Sequence, residues 1–135
     1  GFDSIRKPLE KMQEVGLGYL KLGQPSTTLS GGEAQRIKLA THMLRPLSGH
    51  TLFVLDEPTT GLHSADVADL IQVFHQIADH PNNSILVIEH NVDVIKNADW
   101  IIDLGPGGGQ DGGNLVAEGT VSDIRQSPSL TGKFL

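Results

Sequence analysis

Two adjacent carboxylates and a Ser-Gly-Gly stretch at the start of a predicted helix carry the chemistry that this sequence suggests. Asp56 and Glu57 follow the run 51–55, where apolar or β-branched residues succeed one another without alternation, and Pro58 ends the run. Such a run predicts a strand buried on both faces, as in a parallel sheet. Ligands of open α/β sheets bind at the carboxyl edge, so the acidic pair predicts a site there. Ordinary turn residues after a strand are the alternative.

A histidine follows the next apolar run. His90 comes after 84–88, which also predicts a buried strand, and the amphipathic segment 64–78 between the two runs predicts a helix. Two strands joined by one helix form a right-handed βαβ unit. That topology would bring His90 to the same sheet edge as Asp56 and Glu57. The other histidines are expected to be surface or packing residues, with His63 left open.

Ser30, Gly31 and Gly32 precede an amphipathic helix expected to extend to about Arg45. Two glycines leave backbone N–H groups unobstructed, and the start of a helix carries a partial positive charge, which suits phosphate oxygens. The same residues also fit a capping box, in which Ser30 caps the helix and Glu33 bonds back without any ligand. Both interpretations can hold together.

Other elements follow from periodicity and end signals. Helix 4–15 has Ser4 as a possible cap and Pro8 as a residue that could delay its start, and Ser64 is the expected cap of helix 64–78. The remaining expectations are a helix over 91–98 with Asn91 as cap, strands over 100–104 and 114–118, and a helix over 121–126.

The stretch from Gly107 to Gly112 matches G-x-G-x-x-G by letter. A dinucleotide site needs a helix after that motif, and 114–118 predicts a strand instead. We therefore expect the turn of a β-hairpin.

Composition limits the class of protein. Of the 135 residues, 38% are apolar and 19% are charged, which fits a globular domain, and the net charge of −6 gives no basic face for nucleic acid. The absence of cysteine excludes disulfides and Cys-ligated zinc within this sequence and fits a reducing compartment. No long apolar run or signal-peptide pattern is present, so we expect a cytoplasmic protein without a membrane partner.

The motifs stand in a particular order. Leu29-Ser30-Gly31-Gly32-Glu33 comes first, Leu55-Asp56-Glu57-Pro58 second and His90 third. This order resembles the nucleotide-binding module of the ABC ATPases, with its signature motif, Walker B strand, D-loop and switch histidine. The stretches 16–19, 22–25, 29–39, 56–63, 88–91 and 98–106 are similar to the second, C-terminal ATPase module of the UvrA family, and the similarity covers nearly the whole chain. That family recognises DNA damage in bacterial nucleotide excision repair.

The resemblance implies roles for individual residues. Glu57 would orient or deprotonate the attacking water, His90 would contact the γ-phosphate of ATP, and Asp56 would hold Mg²⁺ through water. The nucleotide-binding set would be Ser30, Gly31, Gly32, Glu33, Asp56, Gly61, Leu62 and His63. The signature residues among them would grip ATP held by the opposite module, and Gly61-Leu62-His63 would form the D-loop.

The expected fold is therefore α/β, a partial ABC-type P-loop ATPase domain with a mostly parallel sheet, flanking helices and a C-terminal β-hairpin. Residues 1–50 would form its helical signature part, and 51–135 would hold the Walker B strand, D-loop and switch histidine. The Walker A loop, G-x-x-x-x-G-K-[ST], does not occur, since Gly132-Lys133-Phe134 lacks the upstream glycine and the hydroxyl. We expect the isolated chain to be inactive.

The resemblance also implies cofactors and partners. ATP and Mg²⁺ would act in the intact parent, and no zinc is expected in this segment. Partners would be the remainder of the same chain with the Walker A half and the other ABC module, a second copy of the parent, and damaged DNA and excision-repair proteins reached through other domains. A UvrA-like ABC ATPase of drug-resistance type and a non-catalytic ATPase-like interaction domain are the alternatives.

Overall fold

A computed structural model of the chain describes residues 2–45, 49–107 and 112–135. The chain divides into two compact units, the first ending at Glu89 and the second beginning at His90. The first unit contains α1 (Asp3–Glu14), α2 (Gly31–Met43), β1 (Thr51–Asp56), α3 (Ser64–Ala78) and β2 (Asn83–Ile88). The second contains α4 (Val92–Ile95), β3 (Ile101–Gly105), β4 (Asn114–Gly119) and α5 (Val121–Gln126). Short 3-10 turns lie at Ser26–Thr28 and Thr131–Lys133.

The predicted βαβ unit is confirmed in the first unit. β1 and β2 pair in parallel, from Thr51 opposite Asn83 to Asp56 opposite Ile88, so their carboxyl ends are in step. α3 joins them and packs on β2. The five apolar residues expected on its inner side are buried, with Val73 in addition: Val67, Leu70, Ile71, Val73, Phe74 and Ile77.

The prediction that β1 and β2 are buried on both faces is wrong. Phe53 and Leu55 are buried, but Leu52 and Val54, which alternate with them, are 62% and 58% exposed. Successive side chains of a strand point to opposite faces of its sheet, and only one face of β1 is covered. β2 shows the same alternation of half-buried and exposed residues.

The start of α1 differs from the sequence prediction. Phe2, not Ser4, is the cap residue, and the helix begins at Asp3. Pro8 lies inside the helix and does not delay its start, because the first turn is already closed by the backbone N–H groups of Ile5 and Arg6 bonding to the Phe2 carbonyl.

Three further helix ends are shifted by one or more residues. α2 stops at Met43 and not near Arg45, because the Arg45 N–H bonds three residues back, to the His42 carbonyl, in a turn. His63 takes the cap position of α3, so Ser64 is its first residue. α4 is also shorter than predicted, since the N–H of Ala98 again bonds three residues back.

The second unit contains the predicted hairpin. β3 and β4 pair antiparallel, from Ile101 opposite Gly119 to Gly105 opposite Asn114. A strand therefore follows the glycine-rich stretch, as predicted, and the dinucleotide-binding alternative is excluded. Residues 108–111 of that stretch lie outside the described residues. β3 begins one residue later than predicted, and α5 has the predicted bounds.

None of the helices within 2–45, 49–107 and 112–135 is long and apolar enough to cross a lipid bilayer.

Candidate functional site

The acidic pair lies where β1 ends. Asp56 is the last residue of the strand, and both Asp56 and Glu57 are exposed. The Glu57 N–H donates to the Ile88 carbonyl at 2.8 Å, which extends the pairing of β1 with β2. Glu57 then turns the chain with φ of +45°, a region that residues other than glycine rarely adopt. The strand end thus presents two carboxylates at the carboxyl edge of the parallel pair.

The predicted capping box at the head of α2 is confirmed. The Glu33 N–H donates to Ser30 Oγ at 3.3 Å, and the Ser30 N–H donates to Glu33 Oε2 at 2.6 Å. These bonds account for the serine and the glutamate without any ligand. Phosphate binding at this helix end stays a prediction.

The two glycines after Ser30 have different surroundings. A Cβ on Gly31 would meet no atom within 4 Å, so this backbone is open to an approaching group. A Cβ on Gly32 would lie 3.2 Å from the Thr60 carbonyl oxygen and 3.2 Å from Arg36 Nη1. Close packing therefore explains the second glycine, while the first leaves accessible backbone at the helix start.

A tyrosine holds the carboxylate of the capping box. The Tyr19 hydroxyl donates to Glu33 Oε1. This bond, followed by the bond from the Ser30 N–H, lowers the pKa of Glu33 below its ordinary value. Burial, followed by the bond to Glu33, raises the pKa of Tyr19. Glu33 is thus held in its ionised form.

Two side chains of α2 join the helix to the residues around the acidic pair. Gln35 Oε1 accepts a bond from the Asp56 N–H at 3.1 Å. Arg36 Nη1 donates to the carbonyls of Pro58 and Thr60 at 2.6 and 3.1 Å. The structure therefore brings the helix start, the end of β1 and the following loop together. The sequence prediction gave Gln35 and Arg36 no role.

The predicted D-loop residues lie between that loop and α3. Gly61 has φ of +78° and is exposed, while His63 is exposed at the cap position of α3. Leu62 packs close to the turn after α1, where a Cβ on Gly16 would lie 2.9 Å from Leu62 Cδ2. Leu62 is therefore a packing residue of the first unit, and contact with nucleotide stays a prediction for all three.

Glu89 is a site residue that the sequence prediction missed. Its Oε1 accepts from the Thr59 N–H at 2.9 Å and from the Thr59 hydroxyl at 2.6 Å. The available signal was its position directly after β2, next to the end of β1.

His90 is exposed and is the first residue of the second unit. The following Asn91 caps α4 as predicted, because its Oδ1 accepts from the N–H groups of Asp93 and Val94. The expected approach of His90 to Glu57 stays a prediction.

The carboxylates suit magnesium better than a metal held by protein alone. Within 2–45, 49–107 and 112–135, no group of three or more His, Asp or Glu side chains could hold a metal ion. Mg²⁺ usually keeps several waters and takes one or two carboxylates together with substrate phosphates. Exposed Asp56 fits that donor set.

The sequence is similar to known proteins along nearly its whole length. The chain is 61% identical over 132 residues to the UvrABC system protein A of Thermus thermophilus, which covers 98% of the chain and 14% of that protein. The chain thus spans about one-seventh of that relative's length. No family model matches.

Solved structures share the fold. The crystal structure of UvrA2 from Deinococcus radiodurans superposes with a TM-score of 0.85 at 51% identity, covering 98% of this chain and 16% of that one. A bacterial Atm1-family ABC exporter with ATP bound gives a TM-score of 0.63 at 18% identity, covering 96% of this chain and 23% of the exporter, which shows a common fold. These findings confirm the ABC-type α/β fold. They favour UvrA over both alternatives, the UvrA-like drug-resistance ATPase and the non-catalytic domain.

Proposed function

Because this chain is homologous to a segment of UvrA along nearly all of its length, we propose that it forms the signature and hydrolytic part of an ATP site in a longer excision-repair ATPase. The observation that carries the proposal is the link between the head of α2 and the end of β1. Gln35 of α2 holds the backbone N–H of Asp56, so the helix start and the acidic pair form one structural group.

Glu57 is the proposed catalytic base. It is exposed at the end of a strand, and its backbone is fixed by the bond to the Ile88 carbonyl, so its carboxylate can take the proton of a water that attacks the γ-phosphate. Asp56 would hold Mg²⁺ through water. When bound, the ion neutralises charge on the phosphate oxygens.

The proposed nucleotide contacts at the head of α2 come from Ser30, Gly31 and Gly32. The capping box leaves the Ser30 hydroxyl hydrogen free to donate, since Ser30 Oγ accepts from the Glu33 N–H, and the Gly31 backbone is open. Both can face a γ-phosphate of ATP held by the opposite module. His90 would contact the same phosphate, and residues 61–63 would line the interface between modules.

We propose that the main contacts to ATP come from residues outside this segment. The sequence has no Walker A loop, so we propose that the 135-residue chain binds Mg-ATP weakly and does not hydrolyse it. The proposed partners are the rest of its own chain with the other ABC module, a second copy of the longer protein, damaged DNA and repair proteins. With a net charge of −6, this segment is not the obvious DNA-contact surface of that protein. A cytoplasmic location stays a prediction.

A structure of the longer protein with Mg²⁺ and a non-hydrolysable ATP analogue tests the proposal. We expect the Glu57 carboxylate within about 3 Å of a water beside the γ-phosphate, and the Ser30 hydroxyl or Gly31 N–H within about 3 Å of a γ-phosphate oxygen. Analogue bound with the γ-phosphate remote from both Glu57 and Ser30 would refute it.

A further inference from the structure

We propose that Arg36 is a positioning residue that fixes the loop 58–60 against the head of α2 and thereby sets the rate of ATP turnover. The inference rests on the proposed function, because the loop follows the proposed base and the helix start holds the proposed phosphate contacts. Arg36 itself is not expected to touch nucleotide.

The guanidinium of Arg36 is an unusual group to find in this core. The residue is 0% exposed, and among the described residues its Nε and second terminal nitrogen have no hydrogen-bond acceptor. Its two bonds go to neutral carbonyls and not to a carboxylate. The negative charge of Glu33 offsets part of the cost of burying this cation, since Arg36 also helps to lower the pKa of Glu33, but both hydrogen bonds of Arg36 go to the loop 58–60. The arginine is therefore explained by what it holds in place.

The contact that Arg36 makes leaves little free space. A Cβ on Gly32 would approach both Arg36 Nη1 and the Thr60 carbonyl oxygen to 3.2 Å, so helix, guanidinium and loop meet in one packed group. One terminal nitrogen of Arg36 donates hydrogen bonds to the carbonyls of both Pro58 and Thr60, which fixes these two loop residues relative to each other. Pro58 is itself fully buried.

Two neighbouring hydrogen bonds connect the loop 58–60 and the residue before Glu57 to other parts of the site. Gln35 holds the Asp56 N–H just before the proposed base, and Glu89 holds Thr59 between the two carbonyls that Arg36 binds. Release of the Arg36 bonds would let the loop move relative to the helix start while Glu89 still anchors it to β2. A misplacement of about 1 Å can lower turnover roughly 100-fold.

The test uses the longer protein with Arg36→Met, Arg36→Lys and Lys38→Met. Lys38 lies on the same helix but is exposed, so its substitution is the matched control for loss of a cation. We expect Arg36→Met to lower kcat at least about tenfold while the Kd for Mg-ATP changes less than about twofold, since the main grip on ATP lies elsewhere. Lysine keeps a donor near both carbonyls, so Arg36→Lys should lose only about threefold in kcat. Lys38→Met should match wild type.

Glu57→Gln, measured in parallel, separates this inference from the proposed function. Unchanged turnover in Glu57→Gln would refute the proposed function. Abolished turnover in Glu57→Gln together with wild-type kcat in a folded Arg36→Met would refute the role of Arg36 alone. Equal losses of kcat and of ATP affinity in Arg36→Met would also refute it, because they indicate a general structural role. If Arg36→Met does not fold, Arg36→Lys decides: a partial loss of kcat at unchanged Kd supports the inference, and wild-type kcat overturns it.

Discussion

Glu89 accepts two hydrogen bonds from one residue, Thr59, with its Oε1 2.9 Å from the backbone nitrogen and 2.6 Å from the hydroxyl oxygen. Thr59 lies two residues after Glu57, so this pair ties the end of β2 to the loop that begins at the acidic pair. Arg36 binds the carbonyls on either side of Thr59. The loop is thus held by Arg36 of α2 and by Glu89, the residue that follows β2.

Removal of the Glu89 carboxylate should destabilise the first unit. In Glu89→Ala both Thr59 donors lose their acceptor in a partly buried position, which should lower the free energy of unfolding by about 1–3 kcal/mol. Glu89→Gln keeps a side-chain oxygen and should lose less. Urea unfolding of the chain measures both, with exposed Glu118→Ala as the control. Equal stability of Glu89→Ala and wild type would contradict the role of this bond.

Substitutions at Ser30 distinguish capping from phosphate binding. Ser30→Ala removes the cap and should lower the free energy of unfolding by about 1 kcal/mol. Ser30→Asp replaces one good cap by another, so its stability should stay within about 0.5 kcal/mol of wild type. The new carboxylate would repel a γ-phosphate, however, so Ser30→Asp in the longer protein should lose ATP turnover. Full turnover in that stable variant would show that Ser30 only caps α2.

The bond between Tyr19 and Glu33 makes stability depend on pH. Because the pKa of Glu33 is lower in the folded chain than in the unfolded chain, its contribution is present above the unfolded pKa and is lost as pH falls through the folded one. Tyr19→Phe removes the largest cause of that shift. We therefore expect the Glu33 pKa to rise towards its ordinary value and the acid loss of stability to become shallower.

Tyr19→Phe should also change how stability depends on pH in the alkaline range. The pKa of Tyr19 is raised in the folded chain, so its contribution is present below the unfolded pKa and is lost as pH rises through the folded one. Phenylalanine has no such titration. Carboxyl chemical shifts give the Glu33 pKa, and urea unfolding at several pH values gives the two limbs. An unchanged Glu33 pKa in Tyr19→Phe would contradict the assigned cause.

The 135-residue chain alone should not bind Mg-ATP with micromolar affinity. It lacks the glycine-rich lysine loop that cradles the β- and γ-phosphates, and its own proposed contacts reach only the terminal phosphate. Titration calorimetry should therefore show no saturable binding below about 1 mM, a free energy weaker than about −4 kcal/mol. Micromolar affinity would show that this segment holds nucleotide by itself.

Local signals predicted most of the elements. Ser30 with Glu33 identified the start of α2, and the apolar spacing of Val67, Leu70 and Phe74 identified α3 and its buried face. These features depend on neighbours within a few residues of one another, which a sequence displays directly.

Features that depend on tertiary contacts were missed. Leu52 and Val54 are apolar like buried residues, but tertiary packing decides which face of β1 is covered, and Phe53 on the covered face contacts His42 of α2. The bonds from Arg36 and Glu89 to the loop join residues far apart in sequence. The sequence held one sign of the Arg36 contact. Arg36 lies four residues after Gly32 and three before Leu39, on the face of α2 that is buried.

Glu57 is the proposed catalytic base, and the turnover of Glu57→Gln in the longer protein tests that role most directly. Glutamine keeps the size of the side chain and cannot take a proton, so ATP turnover should fall at least about 100-fold. Binding of Mg-ATP should stay within about twofold of wild type, as should both properties in the control Glu118→Gln. Turnover of Glu57→Gln at the wild-type rate would show that this carboxylate does not activate the attacking water.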